Sequence, residues 1–145
     1  MRDAAAQNAR EVLMELKHIT TLFLSNDGQV PACCGYLPRG GASPFRAYAL
    51  SPSGRYLFGR CGGSDDCYLA LRLEKVRDGC AHGFYVGYCT NTLTFGLFSS
   101  AQWLEEYGFM KAFFFDYDSG EMQTRRIYLD RALYEQEKGK PHPAQ

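Results

Sequence analysis

The chain reads as an α+β protein: a mainly antiparallel sheet of about six strands packed against a long N-terminal helix, with a short helix before the final hairpin. Three observations predict this. Apolar residues at helical spacing run through the first 25 positions, two-residue alternation takes over after Pro44, and turn-forming clusters separate the alternating runs.

Residues 3–25 are expected as one amphipathic helix. Ala9, Val12, Leu16, Ile19 and Phe23 fall on one face, Asp3 can cap the start, and Asn26-Asp27-Gly28 supplies a stop. Leu13, Met14 and Leu22 widen the apolar surface, so packing on a sheet is the expected role. Residues 27–44 carry Gly28, Pro31, Gly35, Pro38, Gly40, Gly41 and Pro44 and form a long connection without a period.

Strands follow at 45–50 and 55–60, joined by the turn Ser51-Pro52-Ser53-Gly54. In 68–76, Leu69, Leu71 and Leu73 alternate with Ala70, Arg72 and Glu74, the pattern of a half-buried strand. After the turn begun by Arg77-Asp78-Gly79, residues 84–98 alternate with a parity shift across 89–92, which predicts a bulge or break. A short helix is expected over 100–107, capped by Ser99 or Ser100 and ended by Gly108. The clearest hairpin pairs 109–117 with 122–129 across Asp118-Ser119-Gly120-Glu121. Residues 130–138 suggest a last helical turn or two. The expected domain is 1–138, with 139–145 a frayed tail.

A chain of 145 residues holds one domain of ordinary size with a real core. Its 16 basic and 16 acidic residues give no net charge, which argues against a general nucleic-acid binder. No apolar run approaches bilayer-spanning length, and nothing before Cys33 resembles a secretion signal. A cytoplasmic protein with reduced thiols and no membrane association is expected.

Six cysteines, at positions 33, 34, 61, 67, 80 and 89, are the one pointer to specific chemistry. Cys61, Cys67, Cys80 and His82 could in principle supply four zinc ligands. The strand over 68–76 separates them into pairs about 30 Å apart, far beyond metal–ligand distances, and leaves Cys80 and His82 as turn residues. Only Cys33 or Cys34 folding back toward Cys61 and Cys67 would restore a site. A disulfide between Cys61 and Cys67 is geometrically conceivable across a hairpin mouth, but a reducing compartment disfavours it. Cys80 with His82 is also the best thiol–base pair, though turn geometry guarantees it nothing. No metal and no cofactor is assigned.

Asp116 and Asp118 could share a cation or divide acid and base roles, against which stands ordinary turn chemistry. Gly59, Gly62 and Gly63 precede a strand, so they do not make a phosphate loop. Phe113, Phe114 and Phe115 put rings on both faces of one strand, with Arg125, Arg126 and Tyr128 on its partner. That set suits a protein interface or unpaired bases, or simply a buried strand with arginines at its rim.

These features favour a small binding module over an enzyme. Its contacts are expected at Arg125, Arg126 and Tyr128 of the last hairpin and at Arg39 and Tyr36 of the 27–44 connection. A protein partner ranks first, and the profile fits small inhibitors of host enzymes or nucleoprotein complexes carried by phages and mobile elements. A cysteine-based metal-dependent domain or thiol enzyme, and a single-stranded nucleic-acid binder, are the alternatives.

Overall fold

Alternation of buried and exposed side chains organises most of the residues that the computed structural model describes, which are 16–25, 42–61, 67–87 and 97–137. Among them, five strands close into a barrel: β1 (Thr21–Leu24), β2 (Ala42–Leu50), β3 (Tyr56–Cys61), β4 (Cys67–Arg77) and β5 (Cys80–Tyr85). Each strand pairs antiparallel with the next, so the fifth runs parallel to the first where β5 meets β1 and the sheet closes. Closure removes the open edges that such short strands would otherwise expose.

The barrel is filled by its own side chains. Leu22, Leu24, Leu57, Leu69, Leu71 and Ala81 point inward and are buried, with Phe45 and Leu73 beside them. Gly59 lies under the Phe45 ring, where a Cβ would collide with that ring and with the Arg46 carbonyl. The β4–β5 connection is a two-residue turn, with Asp78 at φ 52° and Gly79 at φ 75°, the left-handed pair that a tight hairpin requires.

A second, three-stranded antiparallel sheet follows: β6 (Leu97–Leu104), β7 (Phe109–Asp116) and β8 (Glu121–Tyr128), in that order. Its inner face carries Met110, Ala112, Phe114 and Ile127 and packs on Phe58, Tyr68 and Ala70 of the barrel exterior. Phe114 meets Tyr68 edge-on at 4.9 Å, and Phe98 stacks on Tyr48 at 5.1 Å. The two layers are also pinned by polar contacts. Glu105, in a 3-10 turn over Glu105–Tyr107, accepts hydrogen bonds from the Ser53 backbone N–H at 3.2 Å and from the Ser53 hydroxyl. One short helix, α1 (Arg131–Glu137), ends the described chain, its first turn capped by Asp130 Oδ1 accepting from the Ala132 N–H at 2.8 Å.

This architecture corrects the α+β expectation. Among the described residues the protein is mostly antiparallel β, in sheets of five and three strands, with one short helix near their C-terminal end. The helix expected over 3–25 does not reach its stated end. Residues Leu16–His18 form a single 3-10 turn and Thr21–Leu24 a strand, while 1–15 lie outside the described residues. Ile19, Thr20 and Thr21 are β-branched and stiff at χ1, and Leu22 and Leu24 are buried while Phe23 faces out, which is a strand's parity. The helix expected over 100–107 is also overturned. Residues 100–104 continue β6, because Ala101 and Trp103 alternate onto the interlayer core, and only Glu105–Tyr107 turns. Of the long strand expected over 84–98, residues 84–85 end β5, 86–87 are not in a strand and 97–98 begin β6, while 88–96, with the parity shift at 89–92, lie outside the described residues.

Candidate functional site

The outward face of the second sheet is built row by row by its register. Across the three strands, Leu97 pairs with Phe115 and Phe115 with Met122. One residue along, Phe98, Phe114 and Gln123 form the next row, and there Phe114 is buried against the barrel. Parity therefore turns Leu97, Phe115 and Met122 away from the core together. They are 53%, 38% and 51% exposed, and Tyr117 beyond them is 68% exposed, its ring edge-on to Phe115 at 5.8 Å. Four of the five large apolar side chains exposed among the described residues thus gather at one end of one sheet.

Further down the same face come Ser100, Phe113 and Thr124, then Gln102, Lys111 and Arg126. The Arg126 guanidinium lies over the Phe109 ring at 4.5 Å, a cation–π contact that holds its charge in place. The face ends at Tyr128, which α1 covers with Tyr134 at 6.0 Å between ring centroids.

The residues singled out in the sequence are thereby separated. Arg126 is on the outward face. Tyr128 shares its parity but is only 1% exposed, so it is a core residue. Arg125 pairs with Ala112 and sits on the opposite, inner side of β8, donating to the Thr124 carbonyl at 3.0 Å. Tyr36 and Arg39 lie outside the described residues. Sequence reasoning missed Leu97, Tyr117 and Met122, and it named Phe115 only together with Phe113 and Phe114, without separating the exposed ring from the buried one. Alternation in β7 and β8 was visible, but which parity faces the barrel depends on packing that the chain does not spell out.

The cysteine chemistry also changes. Cys80 and His82 stand on β5, not in a turn, and both point outward from the barrel. His82 packs on Phe23 of β1 at 5.2 Å between ring centroids. Burial pushes the Cys80 thiol above its ordinary value. Burial, with Lys75 adding to it, pulls His82 below its ordinary value, Glu74 opposing and Arg77 contributing in the same sense as Lys75. A thiolate–imidazolium pair needs both shifts reversed, so this pair is a poor nucleophile. The β3–β4 register sets the Cys61 and Cys67 backbones opposite each other. β4 carries the chain from Cys67 to Arg77 before Cys80 begins β5, which keeps the two cysteine regions at opposite ends of that strand. Among the described residues, no three His, Cys, Asp or Glu side chains group as a metal site would require. Cys33, Cys34 and Cys89 lie outside them.

Asp116 serves its turn: its carboxylate accepts from the Asp118 N–H at 3.0 Å and the Ser119 hydroxyl at 3.2 Å. Two grooves lie on the described surface. One, of about 400 Å³, lies between Glu106, Tyr107, Asp130, Leu133 and Gln136. The other, of about 330 Å³, lies between Leu16, Ile19, Arg46, Ala47 and Tyr48 at the barrel. Neither brings a nucleophile and a base together. No helix among the described residues is long and apolar enough to cross a membrane. No family model matches this chain, and no curated protein or solved structure matches it either.

Proposed function

We propose that this chain is a small protein-binding module that works by surface complementarity and docks through the outward face of its second sheet. The observation that carries the reading is the exposed row Leu97–Phe115–Met122 with Tyr117 beside it. Contiguous apolar side chains on a folded surface favour a partner that removes them from water, and aromatic anchors dominate such contacts. Arg126 and the half-buried Lys111 belong to the same surface. Arg125, on the other side of β8, and the buried Tyr128 do not. The proposal includes action in a reducing cytoplasm, where thiols stay reduced. It also includes an inhibitory outcome, since a bound module covers part of its partner.

The test is a triple variant, Leu97→Ser, Phe115→Ser and Met122→Ser, at positions already open to solvent. Far-UV circular dichroism should show an unchanged fold. Proteins retained from host extract by the wild-type chain should be lost by the variant. Equal retention by both would end this reading.

A further inference from the structure

The charges around the exposed row say what kind of protein surface it fits. Asp118 lies in the turn beyond the row, and Asp116 and Glu121, the last cross-strand pair, turn to the reverse side of the same strand ends. All three lie at the row's turn-side end, where their charges act over a screening length of about 8 Å at physiological salt. Beyond the row in the other direction, Lys111 and Arg126 form the one cross-strand pair of cations on this face. From Lys111 to Asp116 the strand rises by five residues, roughly 17 Å. Running down from the turn, the order is therefore an acidic end, with Asp118 in the turn and Asp116 and Glu121 behind it, then the apolar row, then Ser100, Phe113 and Thr124, then the basic pair.

Whole-chain neutrality conceals this order. Residues 97–137 hold eight acidic side chains (Glu105, Glu106, Asp116, Asp118, Glu121, Asp130, Glu135, Glu137) against four basic ones (Lys111, Arg125, Arg126, Arg131). A phosphate backbone or an anionic membrane laid on the exposed row would meet the acidic end, so those surfaces are disfavoured here.

We infer that this face binds a protein segment of polarised charge: an apolar centre, Lys or Arg at the end meeting the Asp118 turn, and Asp or Glu at the end meeting Lys111 and Arg126. The inference rests on the binding reading above and adds the partner's chemistry and orientation to it. Opposite charges at the two ends fix the direction in which the segment lies, since reversing it would oppose like charges at both ends.

The probe is a phage-displayed library of random 12-residue peptides. It is selected on the wild-type chain and depleted on the Leu97→Ser, Phe115→Ser, Met122→Ser variant. The expected winners place basic and acidic residues about five positions apart around apolar ones, in one consistent direction. Their affinity should fall about tenfold or more with Asp118→Lys plus Glu121→Lys, a change confined to an exposed turn and strand end. It should fall similarly with Lys111→Glu plus Arg126→Glu, provided circular dichroism shows that variant folded. Row-dependent peptides without charge polarity, or with affinities unmoved by the turn-end swap, would overturn the inference and leave the binding reading standing. Recovery of no row-dependent peptide would overturn both. A fluorescein-labelled oligo(dT) that binds the wild type and not the row variant would replace the protein segment with nucleic acid and overturn the inference.

Discussion

Tyr128 and Arg126 show how far a single residue's role depends on what covers it. The two differ by one turn of strand alternation and share the outward face of β8, yet α1 lies over one and not the other. Tyr128 touches the Phe109 ring at 6.1 Å and the Tyr134 ring at 6.0 Å and is excluded from water. Tyr128→Ala should therefore cost about 3–5 kcal/mol, as for other large buried aromatics. Arg126→Ala gives up the contact with Phe109 and should cost about 0.5–1 kcal/mol. Urea midpoints of the two variants measure the difference, and equal midpoints would contradict the burial assigned to Tyr128. On the barrel, His82 responds to pH with a definite sign. Its folded pKa lies below the ordinary 6.5, so the unfolded chain binds more protons as pH falls through that range. Stability contributed by neutral His82 is full above about pH 6.5 and declines below it. His82→Gln should flatten the stability profile on the acid side of pH 6.5, read from denaturant midpoints across pH 5 to 8. An unchanged slope would place the proton uptake elsewhere.

At the scale of elements, the turn between β2 and β3 does more than reverse the chain. Ser51 is buried, and its hydroxyl accepts from the Tyr56 N–H at 3.1 Å, which orders the turn. Ser53 then reaches the Glu105 carboxylate on the second sheet. Glu105→Ala leaves the Ser53 N–H without that acceptor and should cost about 1.5–3 kcal/mol, the range for hydrogen bonds to a charged group. Glu106→Ala, on an exposed neighbour, serves as the control, and equal thermal shifts for the two would remove the interlayer role. How well each element could be read from the sequence follows the same local logic. The 45–50/55–60 and 109–117/122–129 hairpins were legible because Ser-Pro-Ser-Gly and Asp-Ser-Gly chemistry fixes a turn wherever it occurs. The segment 16–24 was not, because Leu16, Ile19 and Phe23 satisfy a helical spacing while Leu22 and Leu24 satisfy a strand's. Nine residues are too few to separate the two periods, and pairing of β1 with β2 and β5 decides in favour of the strand. The exposed row was illegible for another reason: Phe113, Phe114 and Phe115 are chemically identical, and only the position of the barrel makes Phe114 core and Phe115 surface.

For the whole molecule, the barrel and the second sheet share one aromatic interior that neither encloses alone. Phe58 and Tyr68 point out of the barrel and would face water without the sheet, while Phe114 and Met110 would face water without the barrel. Separating the layers therefore exposes large apolar side chains on both sides, each worth about 1.5–3 kcal/mol when buried. That cost links the layers into one cooperative unit. Trp103, the single tryptophan of the chain, packs at the margin of this interior and reports on it directly. In urea, the fluorescence of Trp103 and the far-UV circular dichroism of all the strands should follow one transition with one midpoint. Phe114→Ala, which removes the ring that meets Phe58, Tyr68 and Phe98, should lower both midpoints by the same amount, with a loss of about 3–5 kcal/mol. A Trp103 transition that moved ahead of the circular dichroism in this variant would mean that the second sheet detaches from an intact barrel. The proposed docking face would then sit on a separable layer rather than on the support that the shared core provides.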